Sequence, residues 1–371
     1  MSNVALLGTA LLVLLSLIPA TAVRQTRRFW VFTFAGALLA LAAQSAFIKL
    51  QNLQPNVRAE RVLKKQLGRL ELAIQSGQLP ESLILIEGGS SSARGLNGEL
   101  LQSLLAQSGH AALVLQFSMG GANHFERHKL ISRFAEEYRK LRGVGDINVI
   151  LLLEVNRSYD FSPLSQFSEN KFSDVNFYYS DAENLYYAAK ALWNFSKETS
   201  QSSFFSMLPP ILQHILIKEL NIGAAHHLKH FSEIRPFDSF RPLDETVPTF
   251  RFYNFSKTKI PVPAEESEVP ILFPPGWLEI REQRLFSLFE EKLGHHAFFS
   301  VPTNRAEVNT YLRIFCQIRK EEICIDGTDN RLLSELNDRK YFYDAGHLTR
   351  LGSEIYTRWF YSKLINSAIF K

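Results

Sequence analysis

The chain has 371 residues, of which 46% are hydrophobic, 12% aromatic and 21% charged, with two cysteines. That composition excludes a disordered, collagenous or disulfide-stapled chain and allows one large or two modest domains. The formal charge of +4 is matched by Arg24, Arg27, Arg28 and Lys49, because residues 1–50 contain no carboxylate. The remainder is neutral and lacks the concentrated basic face of a nucleic-acid binder.

Residues 4–23 are nearly all apolar, and residues 29–50 are apolar again apart from Gln44, Ser45 and Lys49. Each stretch has about the 20 residues a helix needs to cross a bilayer. The cationic turn at 24–28 is expected to stay in the cytoplasm, with the N-terminus and everything after residue 50 outside. A cleaved signal peptide ending near Ala20-Thr21-Ala22 is the rival reading, against which stands the absence of a positive segment before Val4. Both readings export the main body. There, Cys316 and Cys324 are either a small disulfide or two buried thiols.

Leu63, Leu67, Leu70 and Ile74 share one helical face, which predicts a juxtamembrane helix within 51–80. Three short apolar runs follow. Residues 82–86 end at Glu87-Gly88-Gly89-Ser90, residues 111–117 end at Ser118-Met119-Gly120-Gly121, and residues 147–155 end at Asn156. Helical patterns at 100–105 and 124–141 separate them. This alternation predicts an α/β domain, a three-layer arrangement with a parallel sheet flanked by helices over residues 81–371. The Phe-, Tyr- and Pro-rich stretch at about 160–290 is read as an insertion or lid. Strand pattern is expected again at 296–301 and 311–318, before an amphipathic final helix.

In a parallel sheet the polar groups after strand C-termini gather along one edge, where ligands bind. Ser90 follows a strand and two glycines, a setting that exposes a hydroxyl on a tight turn, although an N-cap serine gives the same pattern. Gly120 offers a backbone N–H after the second strand and Asn156 an amide after the third, a donor set that suits an oxyanion. Near the C-terminus, Asp344 precedes His347 by three residues. A carboxylate at that distance can orient an imidazole base, or it can cap the following helix. His124 and His128 are four apart, but Glu126 is not where a His-Glu-x-x-His zinc site needs it, and neither a metal nor a cofactor is expected. His226, His227, His230, His295 and His296 read as surface or interface residues. The aromatic stretch 159–187 either stacks on sugar rings or covers a core.

Ser, Gly, Asn and His in this order resemble the four blocks of the SGNH (GDSL-like) hydrolase superfamily. Gly88-Gly89-Ser90 with Gly95 matches the first block, Met119-Gly120-Gly121 the second, and Glu154-Val155-Asn156-Arg157 the third. Asp344-Ala345-Gly346-His347-Leu348-Thr349-Arg350-Leu351-Gly352 matches the last. Three positions depart from the pattern. Gly89 stands where the family has Asp, and the Gly-x-Asn-Asp block has become Glu-Val-Asn-Arg. In style the chain is closest to the membrane-tethered envelope polysaccharide O-acetylation proteins and to the D-alanyl-lipoteichoic acid protein D family.

The resemblance implies an SGNH-like, flavodoxin-like fold covering about 80–160 and 295–371. It implies Ser90 as nucleophile, with Ser91 as the register alternative, His347 as general base and Asp344 as its orienter. Ser90 N–H, Gly120 N–H and the Asn156 amide would hold the oxyanion. The expected activity is transfer or hydrolysis of O-acyl groups on a cell-envelope polysaccharide, at the outer side of a bacterial inner membrane. The lipid bilayer and a multispanning membrane O-acyltransferase are the expected partners. The rival readings are a non-catalytic accessory protein that binds glycan or such a transferase, and a lipid esterase that uses its tether to reach substrate.

Overall fold

A computed structural model describes residues 58–120, 124–141, 147–155, 250–255, 282–289, 292–319 and 322–370, together with 30–37, 39, 40 and the isolated positions 43, 186, 190, 193, 243, 244 and 246. The first apolar stretch, most of the 160–290 insertion and Asn156 lie outside the described residues. Residues 30–37 are helical, with Phe32 and, beyond them, Leu39 exposed. Among the described residues no helix is long and apolar enough to cross a membrane.

The chain order is α1 (Arg58–Gln75), β1 (Ser82–Gly88), α2 (Ser90–Gly95), α3 (Gly98–Gln107), β2 (Ala112–Ser118), α4 (His124–Lys140), β3 (Asn148–Glu154) and β4 (Leu293–Phe299). It continues with α5 (Ala306–Ile318), β5 (Cys324–Ile325), α6 (Asn330–Glu335), the hairpin strands β6 (Phe342–Asp344) and β7 (His347–Leu348), and α7 (Arg350–Ile365). Strands β1 to β5 form one parallel sheet in the order β2-β1-β3-β4-β5. This is the flavodoxin-like order of doubly wound sheets, whose topological switch point lies between β1 and β3. Strands β3 and β4 are paired parallel neighbours, so the long segment between them in sequence connects one to the other.

Both faces of the sheet are covered, so the three central strands read as nearly unbroken apolar runs. Leu83, Leu85, Leu113, Leu115, Val149 and Leu151 pack against α1, α4 and α5 on one side. Ile84, Ile86, Val114, Ile150 and Leu152 pack against α3, α6 and α7 on the other. The β2 edge is covered by side chains: Arg69 donates to the Val114 carbonyl (2.8 Å) and the Val114 N–H donates to Gln102 (3.0 Å). At Val114 both main-chain polar groups of this edge strand are thereby occupied.

Residues 311–318 are not a strand, as their apolar content suggested, but the C-terminal part of α5. Tyr311, Leu312, Ile314 and Phe315 recur at helical spacing and bury one face, with Phe315 edge-on to Phe298 of β4. A short apolar run fits either period, and here the packing against β4 selects the helix. Cys316 of α5 and Cys324 of β5 are joined by a disulfide.

Candidate active site

Strand β1 turns into α2 without a loop. Gly89 is extended, at φ −99° and ψ −150°, and caps the helix that Ser90 opens. The Gly89 carbonyl accepts the Ala93 N–H (3.1 Å). In a trans peptide the N–H points opposite the C=O, so the Ser90 N–H is directed out of the helix N-terminus. Gly120 lies beside this turn. A Cβ at that position would stand 3.6 Å from the Ser90 Cβ, and the Met119 N–H donates to the Gly88 carbonyl (2.9 Å), tying the β2 end to the β1 end.

The base comes from the other end of the chain. Strands β6 and β7 pair across the two-residue turn Ala345-Gly346, which sets Asp344 opposite His347 in register. The Gly346 N–H donates to Asp344 Oδ1 (2.7 Å), and the Asn304 N–H holds the Ala345 carbonyl (3.0 Å). Both Asp344 oxygens lie near His347 Nδ1, at 2.8 and 2.9 Å. With Asp344 accepting the Nδ1 proton, Nε2 is left to accept from the Ser90 hydroxyl, 3.0 Å away. Partial burial pushes the Asp344 carboxyl up. The bonds from His347 and Gly346 and the Arg94 charge outweigh it, so the net shift is downward and the group is held as carboxylate.

The capping alternatives resolve differently. Helix α7 is capped by Thr349, whose hydroxyl accepts from the Gly352 N–H (3.3 Å), so Asp344 is free to serve the imidazole. Ser90 caps nothing at α2, where Gly89 holds the N-cap position. Ser91 is buried at 9% exposure, whereas Ser90 is half-buried and bonded to His347. The hairpin and α7 meet at Gly352, where a Cβ would stand 2.2 Å from the Tyr341 carbonyl oxygen. Only glycine lets the helix pass this close to the turn that leads into the strand carrying Asp344.

The structure therefore brings Ser90, Gly120, Asp344 and His347 together, while Asn156, the expected third oxyanion donor, lies outside the described residues. Elsewhere, His128 is buried, and no cluster of three or more His, Cys, Asp or Glu among the described residues could hold a metal ion. His296 is half-buried, near Glu322 (3.8 Å) and against the Phe286 ring. Tyr186, of the aromatic stretch, is exposed.

One participant carried no assignment in the sequence. Glu154, the last residue of β3, is 1% exposed and lies under the nucleophile turn. Its Oε2 accepts from the Gly89 N–H and from the Ser92 hydroxyl (2.9 Å). Burial pushes its carboxyl up, opposed by the nearby Arg127 charge and by these two donors, and the net shift is upward. Arg127 itself lies 3.4 Å from Glu87, both buried. The sequence signal was an acidic residue closing an otherwise apolar strand.

No family model, curated protein or solved structure matches the chain.

Proposed function

We propose that the protein is a membrane-anchored, extracytoplasmic SGNH-like enzyme that acts on O-acyl groups of a cell-envelope polysaccharide through a serine acyl-enzyme. The observation that carries this reading is the Ser90–His347–Asp344 relay, with 3.0 Å between Ser90 Oγ and Nε2 and both Asp344 oxygens on Nδ1. This is the arrangement that activates a weak oxygen nucleophile. The two apolar N-terminal stretches and the cationic turn between them support the tether and the exported body.

In the first half-reaction Ser90 Oγ attacks the acyl carbonyl as His347 Nε2 takes the hydroxyl proton. The negative charge that develops on the carbonyl oxygen falls to the Ser90 and Gly120 N–H groups and the Asn156 amide. Collapse of the tetrahedral intermediate breaks the bond to the leaving alcohol, which takes the proton back from His347. Asp344 stabilises the imidazolium between these two transfers. A hydroxyl then repeats the sequence in reverse on the acyl-enzyme. If it is water, the enzyme is an esterase, and if it is a sugar hydroxyl, a transferase. The tether favours the transferase, with a multispanning O-acyltransferase as the donor partner.

The test is covalent. Full-length protein is treated with a fluorophosphonate and its intact mass read beside Ser90→Ala and His347→Ala. A single adduct that both variants lose is expected, and an unmodified wild-type protein would overturn the reading. Fate of label from an acetyl donor, in glycan or in free acetate, then separates transferase from esterase.

A further inference from the structure

The Glu154 carboxylate has no role in the relay itself, yet its contacts lie on both sides of the nucleophile. Its Oε2 accepts from Gly89, one residue before Ser90, and from Ser92, two residues after it. The contact crosses the β1/β3 switch point, joining residues 65 apart in sequence. Behind it the polar atoms form an ordered chain on the same sheet face. Gln116 Nε2 donates to Ser118 Oγ (3.3 Å), the Ser118 and Ser92 hydroxyls are 2.9 Å apart, and Ser92 donates onward to Glu154. Since a hydroxyl has one proton, the direction that runs from Gln116 through Ser118 and Ser92 to Glu154 Oε2 is self-consistent, with the Gly89 carbonyl, 3.2 Å from Ser92 Oγ, the other acceptor within reach.

The space for that carboxylate is made by Gly88. A Cβ there would stand 2.4 Å from Glu154 Oε2 and 2.0 Å from Ser92 Oγ. Of the positions that depart from the family pattern, the glutamate at 154 makes this contact, its donor being the main-chain N–H of residue 89.

We propose that Glu154 is a positioning residue for the reaction at Ser90. Gripping the chain before and after the serine, it fixes the peptide that carries the Ser90 N–H and the direction of Oγ toward His347. The requirement is for an acceptor at this place. A misplacement on the order of 1 Å costs about a hundredfold in rate when reacting groups must be aligned. The inference rests on the Ser90 nucleophile reading and adds to it a residue that touches neither substrate nor relay.

The experiment compares the fluorophosphonate labelling rate at Ser90 in full-length wild type, Glu154→Gln, Glu154→Ala and Gly88→Ala, with a thermal melt of each. The glutamine keeps an oxygen that can accept both bonds, and its rate is expected to stay within a few-fold of wild type. Glu154→Ala removes the acceptor and Gly88→Ala displaces it, so both are expected to lose about a hundredfold at temperatures where they remain folded. Wild-type labelling rates in folded Glu154→Ala would overturn the inference and leave the nucleophile reading standing. Should Glu154→Ala not fold, Gly88→Ala and Glu154→Gln decide: equal losses in the two would also overturn it, because the conservative variant would have failed to rescue. Absence of labelling in wild type would sink the nucleophile reading and this inference with it.

Discussion

Asp344→Asn is the sharpest perturbation of the relay, because it leaves the size of the side chain unchanged. The Asp344 carboxylate faces Nδ1 through both oxygens, at 2.8 and 2.9 Å. When His347 takes the serine proton, the imidazolium charge is centred about 4 Å from the carboxylate charge. At the effective dielectric suited to a half-exposed pair, this attraction is worth about 4 kcal/mol, or roughly a thousandfold in rate. A second loss adds to it. The asparagine amide can turn an N–H toward Nδ1, which then becomes the acceptor and leaves the proton on Nε2, the wrong tautomer to receive from Ser90. A loss of about 10³- to 10⁴-fold in the labelling rate at Ser90 is expected. The assay is the second-order rate with fluorophosphonate, read by intact mass, with the melting temperature measured alongside. A folded Asp344→Asn protein that reacts within threefold of wild type would refute the reasoning, and it would favour a binding protein that keeps the geometry without using it.

Other consequences concern stability and packing. Since the folded Asp344 carboxyl lies below its ordinary value of 3.8, its contribution is present above that value and is lost as pH falls through the folded one; acid unfolding of Asp344→Asn should lack this component. Glu154 has the opposite sign. Its folded carboxyl lies above the ordinary 4.5, so wild type should lose stability relative to Glu154→Gln as pH rises through the folded value, which chemical unfolding at a series of pH values will show. Opening the Cys316–Cys324 bridge, eight positions apart, should cost about 2.5 kcal/mol by the loop-closure argument, seen as a lower melting temperature in reductant or in Cys316→Ser. Gly352→Ala forces a methyl against the Tyr341 carbonyl and should cost about 1–3 kcal/mol, with a slower Ser90 labelling rate because the hairpin bearing Asp344 must shift; equal labelling would separate α7 packing from the site.

Much of the site was legible because its parts are local. Three apolar runs of strand length, each closed by glycine or polar residues, mark the parallel strands, and they agree with β1, β2 and β3 to within about two residues at either end. Asp344 and His347 are three apart, and a two-residue turn is enough to set them face to face. The candidate oxyanion groups follow from their places after strand ends, since a parallel sheet collects its strand C-termini on one edge. Where the period was ambiguous the reading failed. Residues 311–318 are apolar enough for a strand, and only their fit against Phe298 makes them a helix.

The sequence by itself determined the alternation of strands and helices, the apolar N-terminal stretches and the chemical types at the site, because these depend on neighbours along the chain. The tertiary structure decided which of those residues meet. Ser90 and His347 lie 257 positions apart, and their 3.0 Å contact exists only because α2 and the β6–β7 hairpin pack at one sheet edge. The same packing bonds Ser90 rather than Ser91 to the imidazole, joins Cys316 to Cys324, and brings the Glu154 carboxylate under Gly89 through the gap that Gly88 leaves. A short run of residues carries its own periodicity, but the partner of a buried polar group is set by whichever distant segment the fold delivers to it.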